Sequence, residues 1–543
     1  MSEDKTVATA LVEALRALGV KYVFGVPSGG WVDYMEALRA ADGIEFVLTS
    51  HEGAAGMMAD VCGRLTGVPG VCFGTFGPGA TNLATGVGEA LLDRSPMLAL
   101  TDEMPAPMRG RTTQMGIDHQ ALFRPLTKMT TRLRAEAVKS IMFDAARVAL
   151  TARPGPVHVG LPVGLSAQPA TAENVAFAPS APPPAADPAL LEQAAKLFAN
   201  ARKPILAAGL GAVHAKVGKE IQALATAHGI PVVLTPMAKG LLAEDHPSYA
   251  GVLFHALSNV VGETHRQADL VIAVGYDPVE FNYESWMPRS APLVSFDVAP
   301  ADIDQADYRL AVDAVGDIPT SIAALLRLAP VGNDWDLAAV ARRRAAMFAK
   351  LAPSPDGFGP KAALAVLRDI LPADGIMTCD VGAHTHLIGQ VWTTPAPGLQ
   401  IMTNGWSTMG FGIPAAIAAK LVLPARSVCA VVGDGGFLMT AGELATAVRN
   451  RLKIVVLLLT DNDLALIRIK QEKKGNAVYG TPVRDGGTIG SDAIFGVPVR
   501  TVRDAEALRL ALRQAFAGDG PMVIEAVVDS HEYDGVVLKN DRG

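Results

Sequence analysis

Two aspartates follow apolar runs whose spacing could place them together. Asp434 stands in Gly433-Asp434-Gly435-Gly436 after the run Ser427 to Val432, and Asp461 stands in Thr460-Asp461-Asn462 after the β-branched run Lys453 to Leu459. Between them, Thr440 to Asn450 carries small and apolar residues at helical spacing. A strand-helix-strand crossover is right-handed and lays its strands parallel, so both carboxylates would emerge at carboxyl ends on one edge of a sheet. A hard divalent cation such as Mg2+ takes oxygen ligands and keeps phosphate oxygens in its shell, and the glycines would let a phosphate approach a helix N-terminus. Gly-Asp-Gly alone is as much a turn as a site. The second acid, after a strand of the right length, points to Mg2+ and a diphosphate.

A third acid, Glu52, ends Phe46-Val-Leu-Thr-Ser-His51-Glu52, a strand-like run followed by Gly53, Ala54 and Ala55, which open a helix. A His-Glu pair by itself carries little information.

Together these segments resemble the thiamine-diphosphate-dependent enzymes, whose cofactor motif runs from Gly-Asp-Gly to an Asn or Asp-Asn after the next strand. The resemblance implies Asp434, Asp461 and the carbonyl of Asp463 as metal ligands, within a cofactor-binding set of Gly433, Asp434, Gly435, Gly436, Asp461, Asp463 and Leu464. Asp461 replaces the usual Asn, as it does in the catabolic acetolactate synthases. Glu52 matches the family's essential glutamate, which hydrogen-bonds the aminopyrimidine so that its 4′-nitrogen can take the proton from the thiazolium C2; the coenzyme then supplies the electron sink for decarboxylation. An apolar setting favours the neutral form of such an acid and helps it share a proton at neutral pH.

Further matches extend over most of the chain. Gly25-Val-Pro27-Ser28-Gly29-Gly30 resembles the glycine loop near the reacting carbon, which implies cofactor contact at Pro27 and catalytic positions at Gly29 and Gly30. Gly77-Pro-Gly-Ala-Thr-Asn82 resembles the family's turn of that sequence, with Gly77 and Asn82 toward the cofactor. Asp380-Val-Gly382-Ala383-His384 resembles the diphosphate segment, and Ser407-Thr-Met409-Gly-Phe-Gly412 the pyrimidine segment, where Met409 would wedge between the two rings. Gln120 matches a catalytic glutamine.

Within the superfamily the resemblance is to acetolactate synthases, especially the catabolic type, carried by Val432 to Phe437, Asn404 to Gly410, and Gly275-Tyr-Asp-Pro-Val-Glu-Phe281 with Trp286. The last replaces the Arg-Phe-Asp-Asp-Arg stretch of FAD-containing members, so FAD is not expected. The implied reaction is decarboxylation of a 2-oxo acid, pyruvate foremost, with carboligation to a second carbonyl. A simple decarboxylase, a benzaldehyde-lyase-like carboligase and a catalytically dead regulatory homologue are the alternatives. The expected substrate pocket holds Phe76, His119, Trp406, Ile467 and Lys470. Phe76, His119 and Lys470 depart from the family pattern, and Lys470 could hold a carboxylate. A homodimer or homotetramer with active sites between subunits is implied by resemblance alone.

The elements that must position these residues follow from periodicity. The 543 residues favour several domains, and a composition half hydrophobic and 19% charged favours a compact α/β chain. Three doubly wound parallel-sheet domains are expected: residues 1–168, pyrimidine-binding; 189–330, central; and 361–543, diphosphate-binding. The Ala- and Pro-rich stretch 169–188 and the charged helical stretch 331–360 link them. Gly209-Leu210-Gly211 is a structural turn rather than a dinucleotide loop. The Gly-rich segment 484–496 stands where the family has a helix over the site. Four scattered cysteines suggest neither zinc nor disulfides. A net charge of −7 without basic runs excludes a nucleic-acid or anionic-membrane surface, and apolar runs such as Ile454 to Leu459 fall far short of the ~18 residues of a membrane span. A cytoplasmic protein acting on small molecules is expected.

Overall fold

In the computed structural model, residues 5–330, 332–355 and 357–537 are described. The expected domain bounds also take in residues 1–4, 331, 356 and 538–543, which lie outside the described residues. Three sheets, each covered by helices, follow one another along the chain, as the alternation of helical and strand-like runs requires.

The first sheet has the strand order Glu45–Leu48, Tyr22–Gly25, Gly70–Gly74, Met97–Glu103, Pro156–Pro162, Met129–Arg132, all parallel. The central sheet runs Leu310–Val315, Leu293–Asp297, Leu270–Val274, Pro204–Ala208, Val232–Leu234, Tyr249–Val252, again parallel throughout. In the third, Gln400–Ile401, Ile376–Cys379, Val428–Gly433, Val455–Thr460, Met522–Val527 and Val497–Val502 are parallel, and Ala493–Ile494 adds an antiparallel edge. Several of these strands carry no alternating pattern because both faces are covered, so their periodicity is that of any buried run. Gly209 and Gly211 pack against the backbone of Gly275 and its neighbours, where a Cβ would come within 2.7 Å, so this turn is filled by protein. The stretch 170–187 has no helix or strand, yet Ala170 N–H donates to the Lys5 carbonyl (2.8 Å) and Glu173 caps the amides of Lys139 and Ser140.

The small residues after Glu52 have a packing reason. Helix Glu52–Thr66 is buried along most of its length between helices Pro78–Leu92 and Gly412–Val422. At Gly56 a Cβ would lie 2.8 Å from the Cα of Gly86, so the first two helices touch backbone to backbone. Gly412, Ala415, Ala416, Ala418 and Ala419 line the third helix, and one hydrophobic core therefore runs from the first unit into the last.

A buried ion network fastens this contact. Arg64 bonds Asp60, Asp93 (2.8 Å) and the Met402 carbonyl (2.7 Å), while Asp93 accepts the Gly405 amide at 2.8 Å. Asp60, Glu89 and Asp93 are close enough together for a metal, but Arg64 supplies the cation for Asp60 and Asp93. Glu89 is pushed well above the usual carboxylate range, by burial first and then by the two neighbouring acids. Replacing Arg64 with Ala leaves two buried carboxylates without their cation, at a cost of about 3–5 kcal/mol. The urea midpoint of R64A should fall accordingly; an unchanged midpoint would show that the network contributes nothing net.

Candidate active site

Strands Ile376–Cys379 and Val428–Gly433 are neighbours, while Gln400–Ile401, which lies between them in sequence, pairs on the far side of the first. This reversal of strand order opens a crevice at the carboxyl ends, the usual ligand position in such sheets. Asp380, Asp434 and Asp461 all stand on that edge.

Asp434 begins a helix, Asp434–Thr440, and its Oδ2 accepts the Asn462 amide at 2.6 Å. Asn462 has a φ of 59°, in the left-handed region that Asn tolerates better than most residues, and this turn brings Asp461 back toward Asp434. Asp461 Oδ1 accepts the Asp463 amide at 3.1 Å. Its carboxyl is pushed up to about 7, by burial first and then by the charge of Asp434; burial raises Asp434 as well. Arg468 Nε donates to Asp463 Oδ2 at 3.0 Å, while Asp463 Oδ1 is buried without a hydrogen-bond partner.

Asp380 is fully buried, and its Oδ1 accepts the amides of Val381, Gly410 and Phe411 at 2.8, 2.7 and 3.2 Å. Its Oδ2 has no partner, and a Cβ at Gly436 would lie 1.4 Å from it, so only glycine fits at that position. The His384 ring lies beside Gly382 and Gly433 with its Nε2 buried and unpartnered. Met409 and Leu464 both reach the position where a Gly435 side chain would be. Ser407, with φ 57°, turns the chain just before Met409. A buried acid, Asp434, coupled in charge to the half-buried Asp461, and the orphaned buried polar atoms of Asp380 and His384 fit a magnesium-bound diphosphate.

In the first unit Glu52 opens its helix, and its Oε2 accepts from Asn82 Nδ2 at 3.0 Å. The amides of Ser50 and His51 donate to Glu443 Oε1 at 2.9 and 3.0 Å. Glu443 begins the helix Glu443–Arg449, which follows the Asp434–Thr440 helix after a two-residue turn. Within one chain, no hydrogen bond or ion pair among the described residues joins Glu52 to Asp434 or Asp461.

The remaining expected residues divide. Gly77 has φ 51° and donates its N–H to His119 Nε2 at 3.2 Å, so the proton of His119 is on Nδ1, facing Thr101 Oγ1 at 3.0 Å. Burial pushes His119 down to about 4, so it is a neutral acceptor holding the Gly77 turn. Gln120 commits its amide to Glu103 Oε1 (2.5 Å) and the Thr131 carbonyl (3.0 Å), inside its own unit. Phe76 is half-buried beside Gly77. The Trp406 ring lies on Gly88 of the first unit, where a Cβ would meet it at 2.8 Å, although 41% of the residue is exposed. Ile467 and Lys470 share the exposed face of helix Ala465–Lys473.

Asp102 and Glu443 were not singled out from sequence. Asp102 Oδ2 accepts from Ser28 Oγ at 2.5 Å and Thr75 Oγ1 at 3.2 Å, and its Oδ1 lies against Gly30. It therefore ties the Pro27 to Gly30 loop to the turn before Gly77. An acid ending the strand Met97–Glu103, on the same edge as the glycine loop, was the available signal.

Residues 5–122 match the thiamine pyrophosphate enzyme N-terminal TPP binding domain, 191–325 the central domain, and 380–526 the C-terminal TPP binding domain. A probable acetolactate synthase large subunit from Methanocaldococcus jannaschii is 30% identical over 97% of this chain and 92% of its own. The chain belongs to the thiamine-diphosphate-dependent enzymes of the acetolactate synthase family. Acetolactate synthase from Bacillus subtilis is likewise 30% identical, over 98% of this chain and 95% of its own. A probable 2-ketoarginine decarboxylase from Pseudomonas aeruginosa is 34% identical over 96% and 93%. Among the described residues no helix is long and apolar enough to cross a membrane, and all four cysteines of this family member are buried and free.

Burial pushes Asp102 up to about 6. A carboxyl raised on folding binds its proton more tightly in the native state, so its contribution to stability is present at pH 4 and lost as pH rises past 6. Measured by urea unfolding, the stability of D102N relative to wild type should increase by about 2 kcal/mol between pH 4 and pH 7; a constant difference would refute the assignment.

Proposed function

We propose that this enzyme uses Mg2+ and thiamine diphosphate to decarboxylate a 2-oxo acid and join the remaining fragment to a second carbonyl, with acetolactate from two pyruvates the leading product. The observation that carries the reading is the pair of charge-coupled carboxylates, buried Asp434 and half-buried Asp461, at the sheet crevice, in a chain that also holds Glu52 by Asn82. When bound, the coenzyme supplies the carbanion and the electron sink for loss of CO2.

The chain's own residues do the rest. Asp434, Asp461 and the Asp463 carbonyl hold the cation, and the amides of the Gly433 to Gly436 turn, with His384, take the diphosphate. Met409 and Leu464 cover Gly435 and set the bend of the coenzyme. Glu52 shares a proton with the pyrimidine N1′, and Asn82 fixes which oxygen does so. His119 and Asp102 keep the Gly77 turn and the Gly29-Gly30 loop against the reacting end. The family resemblance supports a homodimer or homotetramer in which a second copy completes each site.

Decarboxylation without carboligation is the second reading, favoured by the 34% identity to a probable 2-ketoarginine decarboxylase. The exposed ammonium of Lys470 disfavours a guanidinium-bearing substrate. Product analysis with pyruvate separates the two: acetolactate supports the first, acetaldehyde alone the second. E52Q should retain Mg2+-dependent thiamine diphosphate binding, read by fluorescence quenching, while CO2 release from pyruvate falls at least ~100-fold. Undiminished CO2 release would sink the mechanism.

A further inference from the structure

One buried carboxylate of the C-terminal unit has no part in the reading above. Glu525 is fully buried in strand Met522–Val527, between strands Val455–Thr460 and Val497–Val502. Its oxygens gather donors from three sides. Thr460 Oγ1 and Thr501 Oγ1 approach from the flanking strands, each at 3.1 Å, and the Ile489 amide lies 3.0 Å from both oxygens. Arg484 Nη2, at 3.5 Å, supplies the cation. For a carboxylate taken out of water, losing such a partner leaves a charge uncompensated.

Arg484 and Ile489 belong to the segment 481–489, which lies between helix Ala465–Lys473 and the edge strand Ala493–Ile494. Its first residues pair with the turn that carries Asp461. The Leu464 amide donates to the Thr481 carbonyl and the Val483 amide to the Asn462 carbonyl, both at 2.9 Å, and Asp463 forms an antiparallel bridge with Pro482. Arg484 then joins the two groups: its Nε donates to Asn462 Oδ1 at 3.1 Å while Nη2 faces Glu525. Asn462 Nδ2 returns to the segment at the Gly487 carbonyl, 3.1 Å away. Both polar atoms of the Asn462 side chain are thus held by the same short stretch.

Asn462 is the pivot. Its φ of 59° is sparsely populated by any residue but glycine, and such a conformation persists where the surroundings over-determine it. In that conformation its amide reaches Asp434 Oδ2 at 2.6 Å, with Asp461 and Asp463 on either side of it in the chain. Contacts therefore run without a break from Glu525 through Arg484 and Asn462 to Asp434. Groups that orient metal ligands without touching the metal change its affinity about 10- to 100-fold when removed.

Resting on the magnesium and thiamine diphosphate reading, we propose that Glu525 and Arg484 are positioning residues for the cation turn: they hold Asn462 left-handed so that Asp434, Asp461 and the Asp463 carbonyl meet one Mg2+. Arginine suits the task because its rigid fork bonds two acceptors at a fixed separation.

The test titrates Mg2+ into protein held at saturating thiamine diphosphate and reads fluorescence quenching in wild type, R484Q, E525Q and the double variant. D485N, an exposed position in the same segment outside these contacts, is the control. R484Q and E525Q should each raise the Mg2+ concentration at half-maximal quenching at least ~10-fold, with the full amplitude recovered at high Mg2+. A merely structural role would lower the amplitude and leave the midpoint where it is. The double variant should shift the midpoint little beyond the worse single one, because the two residues act in one chain of contacts, and D485N should not shift it. An unchanged midpoint in R484Q overturns the proposal, and R484Q decides alone if E525Q does not fold. If wild type takes up no thiamine diphosphate with Mg2+, the functional reading fails by itself. Hydrogen exchange on the coenzyme-free protein still decides the tether: the Asn462 and Leu464 amides should exchange at least ~10-fold faster in R484Q than in wild type, and equal rates overturn it.

Discussion

Two carboxylates held side by side out of water are the constraint on which the C-terminal unit is organised. Parallel pairing of Gly433 with Leu459 delivers Asp434 and Asp461 to adjacent strand ends, and burial raises both, with the charge of Asp434 raising Asp461 further. The nearest strong cations of the chain are otherwise engaged: Arg468 with Asp463, Glu472 and Asp534, and Arg484 with Asn462 and Glu525. A cation from outside would satisfy the pair. Around it, glycine at 435 and 436 makes room for Leu464, Met409 and the buried Asp380 carboxyl, and a left-handed Asn462 turns the chain back toward Asp434.

The N-terminal unit answers a different requirement, which is to hold one acid rigidly at a helix start. The strand-helix corner at Glu52 rests on Glu443, its helix packs through Gly56 on Gly86, and the Arg64 network pins its far end to the loop leading to Trp406 and Met409. The residues that orient Glu52 and those that orient Met409 thus belong to one packed body. A loosened helix contact would be felt at both.

Much of this was readable along the chain because it is local. Asp434 and Asp461 follow strands joined by one short helical crossover, which the structure divides into helices Asp434–Thr440 and Glu443–Arg449, and right-handed crossover alone brings them to one edge; Glu52 likewise sits at a strand-to-helix corner that a short window displays. The buried parallel strands were less legible, since Pro156–Pro162 and Met522–Val527 are covered on both faces and lack a period of two.

What sequence by itself determined, through local periodicity and motif resemblance, was the α/β class, the three-unit order and the family, and it supplied the acids and glycines proposed for the coenzyme site. Tertiary structure alone decided that Asp380 is buried against Gly436, that Asp102 links two loops, that Gln120 is committed within its own unit, that Trp406 lies on Gly88, and that Glu525 meets Arg484. Those relations join residues tens to hundreds of positions apart, and no spacing rule encodes which side chains meet once separate sheets and helices have packed.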